Sequence, residues 1–302
     1  MARWFQTTVG KHFQVYPAKR VDLSTMSWGA GATMSFWKIV LSYDGSPFHG
    51  WQVQPGRATV QGTLAAALEK MTGERVLPQG SGRTDAGVHA LGQVASFALG
   101  VEIPAENLWR ALNRSLPQSI RVLTVEEVGE DFHARHSAVR KSYEYRIFER
   151  KVEEVDEENA CPPFVAPYAW DCRWAVDVEA MKRTAAMLCG THDFTSFAAV
   201  DPDRAQRESG EGGPNPVKTI YVSEVVREDG LLRYRVTGSG FLHHMVRNIV
   251  GTLVEVGRGA LQAEEVGRIL AAKDRTAAGP TAPAQGLFLV AVEYGDGDGV
   301  GA

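Results

Sequence analysis

The chain has 302 residues, of which 44% are hydrophobic and 23% are charged, a composition typical of globular domains that excludes disordered and fibrous classes. Its formal net charge of −4 argues against a protein that coats nucleic acid non-specifically, so any RNA-binding surface must be a local basic patch. The three cysteines form no CxxC pair and no apolar run is long enough for a membrane span, so we expect a soluble, cytoplasmic protein without a zinc site or disulfides.

The first segment, residues 1–33, scatters aromatic and basic side chains without a helical or strand period and without the apolar core of a signal peptide. We interpret it as a disordered extension or the product of a mis-assigned start codon, with an organellar transit segment as the less favoured alternative. Met34 directly precedes the first periodic strand and is the candidate start.

A chain that begins at Met34 is therefore expected to keep full activity, because residues 1–33 offer no amphipathic face to bury. The thermal midpoint and the turnover of the two chains, measured side by side, check this expectation. A substantial loss in either quantity would mean that the extension is part of the fold.

After Met34, alternating apolar residues predict strands and apolar residues at helical spacing predict helices. Thr59 is a candidate N-cap, and Gly73 ends the first helical pattern. In chain order the predicted elements are strand 37–43, a helix from residue 60 to Gly73, strand 93–99, helix 104–116, strand 120–128, strand 142–148, helix 176–188, strands 219–226 and 231–237, helix 241–256 and strand 287–294.

The second half repeats the element order of the first, which indicates an internal duplication. The hairpin spacing at 227–230 favours antiparallel pairing, so we predict an α+β fold of two β-α-β-β-α-β units whose sheets join edge to edge. The units are residues 34–140 and 141–295, followed by a Gly-rich tail at 296–302. An acidic stretch at 153–158 and a Gly/Pro-rich stretch at 201–216 are interpreted as surface loops.

The densest polar cluster is the predicted loop 81–90, with the sequence SGRTDAGVHA. Its glycines let the backbone approach a ligand closely, and Arg83 and Asp85 point the same way if the segment is extended. Taken alone, such a cluster is more often a turn closed by a local Arg–Asp contact.

The segment GRTDAGVH at 82–89 resembles the active-site signature of the bacterial tRNA pseudouridine synthase A (TruA) family. Further segments similar to that family follow in the correct order across residues 35–294, which is too extensive for coincidence. They are YDG at 43–45, FHGWQVQ at 48–54, VQG at 60–62, ALN at 111–113, DFHAR at 131–135, KSYEY at 141–145, GTHDF at 190–194, FLHHMVRN at 241–248, TAPA at 281–284 and GL at 286–287.

The resemblance implies the pseudouridine synthase fold and an isomerase that breaks the N-glycosidic bond of uridine, turns the base and rejoins it through C5, without a cofactor. Asp85 matches the family's catalytic aspartate; whether it attacks the sugar, attacks the base or acts as a base stays open. A buried carboxylate needs a cationic partner, and Arg247 is the best candidate, with a helix-surface arginine as the alternative.

Two further residues carry roles that the resemblance implies. Tyr143 matches the family's active-site tyrosine and would stack on the uracil, although an isolated strand tyrosine is ordinarily a core residue. Arg83 would contact the RNA backbone or the flipped nucleotide, with a loop-shaping salt bridge as the alternative. Five basic and two acidic residues lie within 135–150, which favours a local RNA-binding patch over a merely solvated strand face only because the motif lies beside it.

The implied substrate is uridine at positions 38 to 40 in the tRNA anticodon arm, and the implied assembly is a homodimer that holds one arm.

The residues His192, Asp193, His243 and His244 are better explained as core or RNA contacts than as metal ligands. One departure is the Ala198-Ala199 pair, where the family usually carries an arginine after FTSF. Arg204 or Arg207 in the Gly/Pro-rich segment that follows could substitute, or that loop could alter which tRNAs are accepted. The alternative functions are a non-catalytic tRNA-binding or tRNA-folding protein and an aspartate-nucleophile hydrolase. The hydrolase is disfavoured because the sequence has no phosphate-binding motif to accompany Asp85.

Overall fold

The computed structural model describes residues 34–150, 160–200 and 215–295. The N-terminal extension, the acidic stretch, the Gly-rich tail and most of the Gly/Pro-rich stretch, with Arg204 and Arg207, lie outside the described residues. No helix in the described ranges has both the length and the apolar character that crossing a membrane requires.

The strands and helices follow the predicted order. The strands are β1 Ser35–Tyr43, β2 Gln79–Gly80, β3 His89–Leu99, β4 Ile120–Val128, β5 Ala138–Glu149, β6 Trp170–Cys172, β7 Gly190–Asp193, β8 Val217–Glu228, β9 Leu231–Gly238 and β10 Leu287–Tyr294. The helices are α1 Val60–Thr72, α2 Ala105–Ser115, α3 Val178–Ala186, α4 Met245–Gly257 and α5 Glu265–Ala272.

Within the described residues all ten strands form one sheet, with the main order β4-β1-β3-β10-β5-β9-β8-β7. The first unit has the order β4-β1-β3-β2, and the second repeats it as β10-β5-β9-β8. The two meet where β10 pairs with β3, the register being Phe288 with His89 and Leu289 with Ala90. This arrangement confirms the α+β fold with two sheets joined edge to edge. The division at residues 140 and 141 stays a prediction.

Local signals account for several element ends. The Thr59 hydroxyl accepts from the Gly62 amide at 3.3 Å, and Gly73 ends α1 in the left-handed conformation with φ 76°. Asp229 and Gly230, with φ 51° and 76°, form the two-residue turn that joins β8 to β9.

The main core of the described residues is a cluster of buried apolar side chains that extends across both units, and a second, smaller cluster contains Val94, Phe132 and Ala134. In β1, alternate residues are buried, and they pack with apolar side chains of α1 and α2; the buried set is Trp37, Ile39, Leu41 and Tyr43. In the second unit α3 contacts both α4 and β8. Each fully buried side chain of this kind contributes about 1.5–3 kcal/mol. The packed core therefore provides a rigid base for the loops above it.

Two predicted bounds are wrong in an informative way. β3 begins at His89 and not at residue 93, because Ala90 pairs with Tyr43 of β1 and the pairing with the sequence-distant β10 extends the strand to His89. α4 begins at Met245 and not at residue 241, because His244 adopts a left-handed conformation with φ 59°. The short strands β2, β6 and β7 and the helix α5 were not predicted, since they span too few residues to show a period.

Candidate active site

The loop that carries Asp85 is clamped to a neighbouring segment by main-chain contacts. The Trp51 amide donates to the Thr84 carbonyl at 3.0 Å, and the Gly87 amide donates to the Phe48 carbonyl at 3.3 Å. Gly50, with φ 87°, makes this approach feasible, because a Cβ there would lie 2.6 Å from the Thr84 oxygen. The FHGW segment therefore sets the position of the loop backbone.

Side chains beneath the loop hold it from the core side. The Tyr43 and Thr84 hydroxyls are 2.8 Å apart, and the Gln93 amide donates to the Gly82 carbonyl at 2.9 Å. Burial raises the pKa of Tyr43 to about 12, so its hydroxyl stays protonated at neutral pH. Thr84 is buried against these groups, whereas the Asp85 side chain retains 22% of its exposure.

The Asp85 carboxylate is paired with a cation from α4. Arg247 Nη1 donates to Asp85 Oδ2 at 2.9 Å, and Arg247 Nε donates to the Ala282 carbonyl at 2.7 Å. The side chain of Arg247 is only 14% exposed, so it is not a helix-surface arginine. The two bonds fix the guanidinium plane between the Asp85 loop and the TAPA segment, as a planar fork of donors allows.

Two histidines complete the surroundings of the carboxylate. His244 Nε2 lies 3.3 Å from Asp85 Oδ2, and His243 Nε2 lies 3.6 Å from Asp85 Oδ1. Burial lowers the pKa of His244, although the charge of Asp85 opposes this shift. A neutral imidazole with its proton on Nε2 can donate to the carboxylate, which only accepts. The left-handed backbone at His244 aims this ring at Asp85.

Asp85, His243 and His244 offer three ligand atoms within 4.8 Å of one another, a spacing that could hold a metal ion. The Arg247 guanidinium occupies Asp85 Oδ2 at 2.9 Å, however, and its positive charge opposes a second cation there. The geometry therefore favours a carboxylate surrounded by hydrogen-bond donors over a metal centre.

The other predicted site residues lie on the same loop or next to it. Tyr143, on β5, is 9% exposed and packs edge-on against Phe241 with ring centroids 5.0 Å apart. Burial raises the pKa of Tyr143, and the nearby charge of Asp85 adds to this effect. Arg83 is exposed on the Asp85 loop. The structure thus brings Asp85, Tyr143 and Arg247 together, with Arg83 at the rim.

One arginine near the site, Arg275, was not predicted from the sequence. Arg275 Nη2 donates to Asn248 Oδ1 at 3.0 Å and to Thr281 Oγ1 at 3.1 Å. Its charge contributes to the lowered pKa of His244. These bonds tie the segment after α5 to α4 and to the TAPA segment. Arg275 lies outside the motifs that carry the resemblance, and nothing in its local spacing marks it.

The chain is similar in sequence to known proteins over most of its length. The sequence model of a family described as tRNA pseudouridine synthase matches residues 39–137 and 184–295. A protein named tRNA pseudouridine synthase A from Solibacter usitatus is 50% identical over 257 residues, which is 85% of this chain and 98% of the relative. The proteins of that name from Moorella thermoacetica and Geobacillus kaustophilus are 47% and 42% identical over 85% and 86% of this chain, and over 98% and 94% of their own lengths.

Proposed function

Because this chain belongs to the tRNA pseudouridine synthase A family of isomerases, we propose that it converts uridines 38 to 40 of the tRNA anticodon arm to pseudouridine, with Asp85 as the catalytic residue. The observation that carries the proposal is the Asp85 carboxylate, held at 2.9 Å by Arg247 on a loop whose backbone is clamped from two sides. A fixed, ionised carboxylate is what each of the candidate routes requires.

The hydrogen-bond donors around the Asp85 carboxylate support an aspartate-dependent isomerisation. Arg247 offsets the cost of keeping Asp85 charged while it is half-buried, and His244 adds a second donor to the same oxygen at 3.3 Å. The choice between attack on the sugar, attack on the base and proton abstraction remains open. All carbon, nitrogen and oxygen atoms of the product come from the uridine itself, and the proton that leaves C5 is balanced by one gained at N1, so the proposal needs no cofactor.

The target uridine is stacked inside the anticodon arm and must leave the stack to reach Asp85. Arg83, at the exposed rim of the loop, is proposed to contact the RNA backbone or the flipped nucleotide. Tyr143, packed against Phe241 beside Asp85, is proposed to stack on the uracil face. A homodimer is also proposed, because the family resemblance implies that two subunits hold one tRNA arm.

If Tyr143 acts by stacking, Tyr143→Phe should keep turnover within a few-fold of the wild type, because the ring is preserved. Tyr143→Leu should lower kcat/KM by about 10-fold to 100-fold, the loss of one base–aromatic stack. Steady-state kinetics on a tRNA transcript measure both. A large loss in Tyr143→Phe would show that the hydroxyl and not the ring carries the role.

The proposed function is tested with unmodified tRNA transcripts that keep uridine at only one of positions 38, 39 and 40, mapped for pseudouridine at nucleotide resolution. We expect product at these positions and none at uridines in the other arms. Product confined to another arm would overturn the proposed substrate, and no product with any transcript would overturn the activity. Sedimentation of the protein with and without tRNA separates dimer from monomer.

A further inference from the structure

Lys141, which has no role in the proposed chemistry, contacts the start of the loop that carries Asp85. Lys141 Nζ donates to the Ser81 carbonyl at 2.5 Å, and a Cβ on Gly82 would lie 3.4 Å from the same nitrogen. Lys141 precedes Tyr143 by two positions on β5, so both side chains point to the same face of the sheet. Lys141 is half-buried beside the first residues of the Asp85 loop.

Two further cations act on this lysine electrostatically. Burial, with smaller contributions from the positive charges of Arg135 and Lys218, lowers the pKa of Lys141 to about 8. Lys218, on β8, is half-buried itself, and its side chain lies 4.0 Å from a Cβ built on Gly240. Gly240 adjoins Phe241, the residue that packs on Tyr143. The three cations thus come from β5, β8 and the loop before β5.

Among the residues that the structure describes, these cations lack the anionic partners that arginines elsewhere on the sheet have. Arg146 and Arg233 each lie 2.8 Å from Glu144. In the part of the chain that the structure describes, by contrast, Lys141, Arg135 and Lys218 have no carboxylate within 4.0 Å. Gathering like charges around a half-buried ammonium is unfavourable in the free protein, and an anion placed among them reverses the sign of that interaction.

The Lys141 ammonium group also has N–H donors that the Ser81 carbonyl does not use. An ammonium group carries three N–H donors, and the Ser81 carbonyl takes one of them. The other two can bond two oxygens of one anion, as lysines do with phosphates. The anion that a tRNA-modifying protein meets at this place is the phosphodiester backbone of its substrate.

We infer that Lys141, Arg135 and Lys218 form a binding site for one backbone phosphate of the RNA, next to the nucleotide that enters the Asp85 site. The inference rests on the proposed function. With one N–H on Ser81 and the others on the phosphate, Lys141 links the RNA backbone directly to the loop that carries Asp85. The site therefore contributes affinity for the RNA next to the Asp85 loop and takes no part in the chemistry.

The test is Lys141→Met, which keeps most of the length and the apolar character of the stem and removes the charge. We expect the Kd for a tRNA transcript to rise about 10-fold at low salt, and the slope of log Kd against log salt to fall by about one unit, the signature of one lost phosphate contact. At saturating tRNA, kcat should stay within a few-fold of the wild type. Lys182→Met is the matched control, since Lys182 is an exposed lysine on α3 paired with Glu179, and it should change neither quantity.

Two results would overturn the inference. One is an unchanged slope of log Kd against log salt in Lys141→Met. The other is a fall in kcat with an unchanged Kd, which would mean that Lys141 only holds the Ser81 carbonyl in position. Lys218→Met, at a half-buried position near the surface, should reproduce the change in slope and keeps the test valid if Lys141→Met does not fold. Thermal unfolding of each variant reports on folding. Binding with the expected slopes but without pseudouridine formation by the wild type would refute the proposed function and leave the phosphate site standing.

Discussion

Asp85→Asn is expected to abolish pseudouridine formation, with a loss on the order of 10⁴-fold or more, as for other variants that lack a catalytic nucleophile or base. Asparagine keeps the size and shape of the side chain but removes the negative charge that every candidate route needs. Its amide oxygen can still accept from Arg247, which lies 2.9 Å from the carboxylate. The loop should therefore keep its position.

Binding should survive the same substitution, because affinity for tRNA comes chiefly from phosphate contacts and base stacking by other residues. The measurement is product formation in a tRNA transcript, run beside a binding titration. Asp131→Asn is the matched control, since Asp131 is an exposed aspartate in the loop before β5, and we expect it to be fully active.

Three outcomes separate the readings of this protein. Activity near the wild-type level in Asp85→Asn would refute the assignment of Asp85. A hydrolase unrelated to RNA predicts that neither protein converts uridine. A tRNA-binding or tRNA-folding protein predicts that the variant matches the wild type in tRNA maturation.

Much of the fold could be predicted from the sequence because its signals are local. The strand predicted at 120–128 has the observed bounds of β4, and the candidate caps Thr59 and Gly73 act as expected. Pairing between distant segments has no local signal. The extension of β3 to His89 depends on β10, which lies about two hundred residues further along the chain, and no period within β3 announces it.

The candidate site was predicted unevenly for the same reason. Asp85 and Arg247 could be proposed as partners because a buried carboxylate needs a cation, and the structure places them 2.9 Å apart. The approach of His244 to Asp85 could not be foreseen, since it depends on a left-handed residue inside a pattern that predicts a helix. Arg275 was missed because its partners, Asn248 and Thr281, come together only in the folded chain.

Arg247→Met should lower kcat by about 10²-fold to 10³-fold, the loss typical when one preorganised electrostatic partner is removed from an active site. The substitution leaves the half-buried Asp85 carboxylate with histidines as its remaining neighbours and takes a donor from the Ala282 carbonyl, now bonded at 2.7 Å. Without Arg247 the negative charge of Asp85 is uncompensated, which destabilises its reactive form. The loss of the bond to the Ala282 carbonyl loosens the TAPA segment. The affinity for tRNA should change little, because the guanidinium is engaged within the protein.

Steady-state kinetics and a tRNA-binding titration measure the two effects separately. Arg258→Met is the matched control: Arg258 lies at the end of the same helix and pairs with Glu255, so kcat should stay at the wild-type value. Arg247→Lys adds a second comparison, because a lysine restores the charge but cannot hold Asp85 and the Ala282 carbonyl with one planar fork. We expect it to recover only part of kcat. Normal turnover in Arg247→Met with a weakened affinity for tRNA would instead make Arg247 an RNA contact, and Asp85 would then need another group to hold its charge.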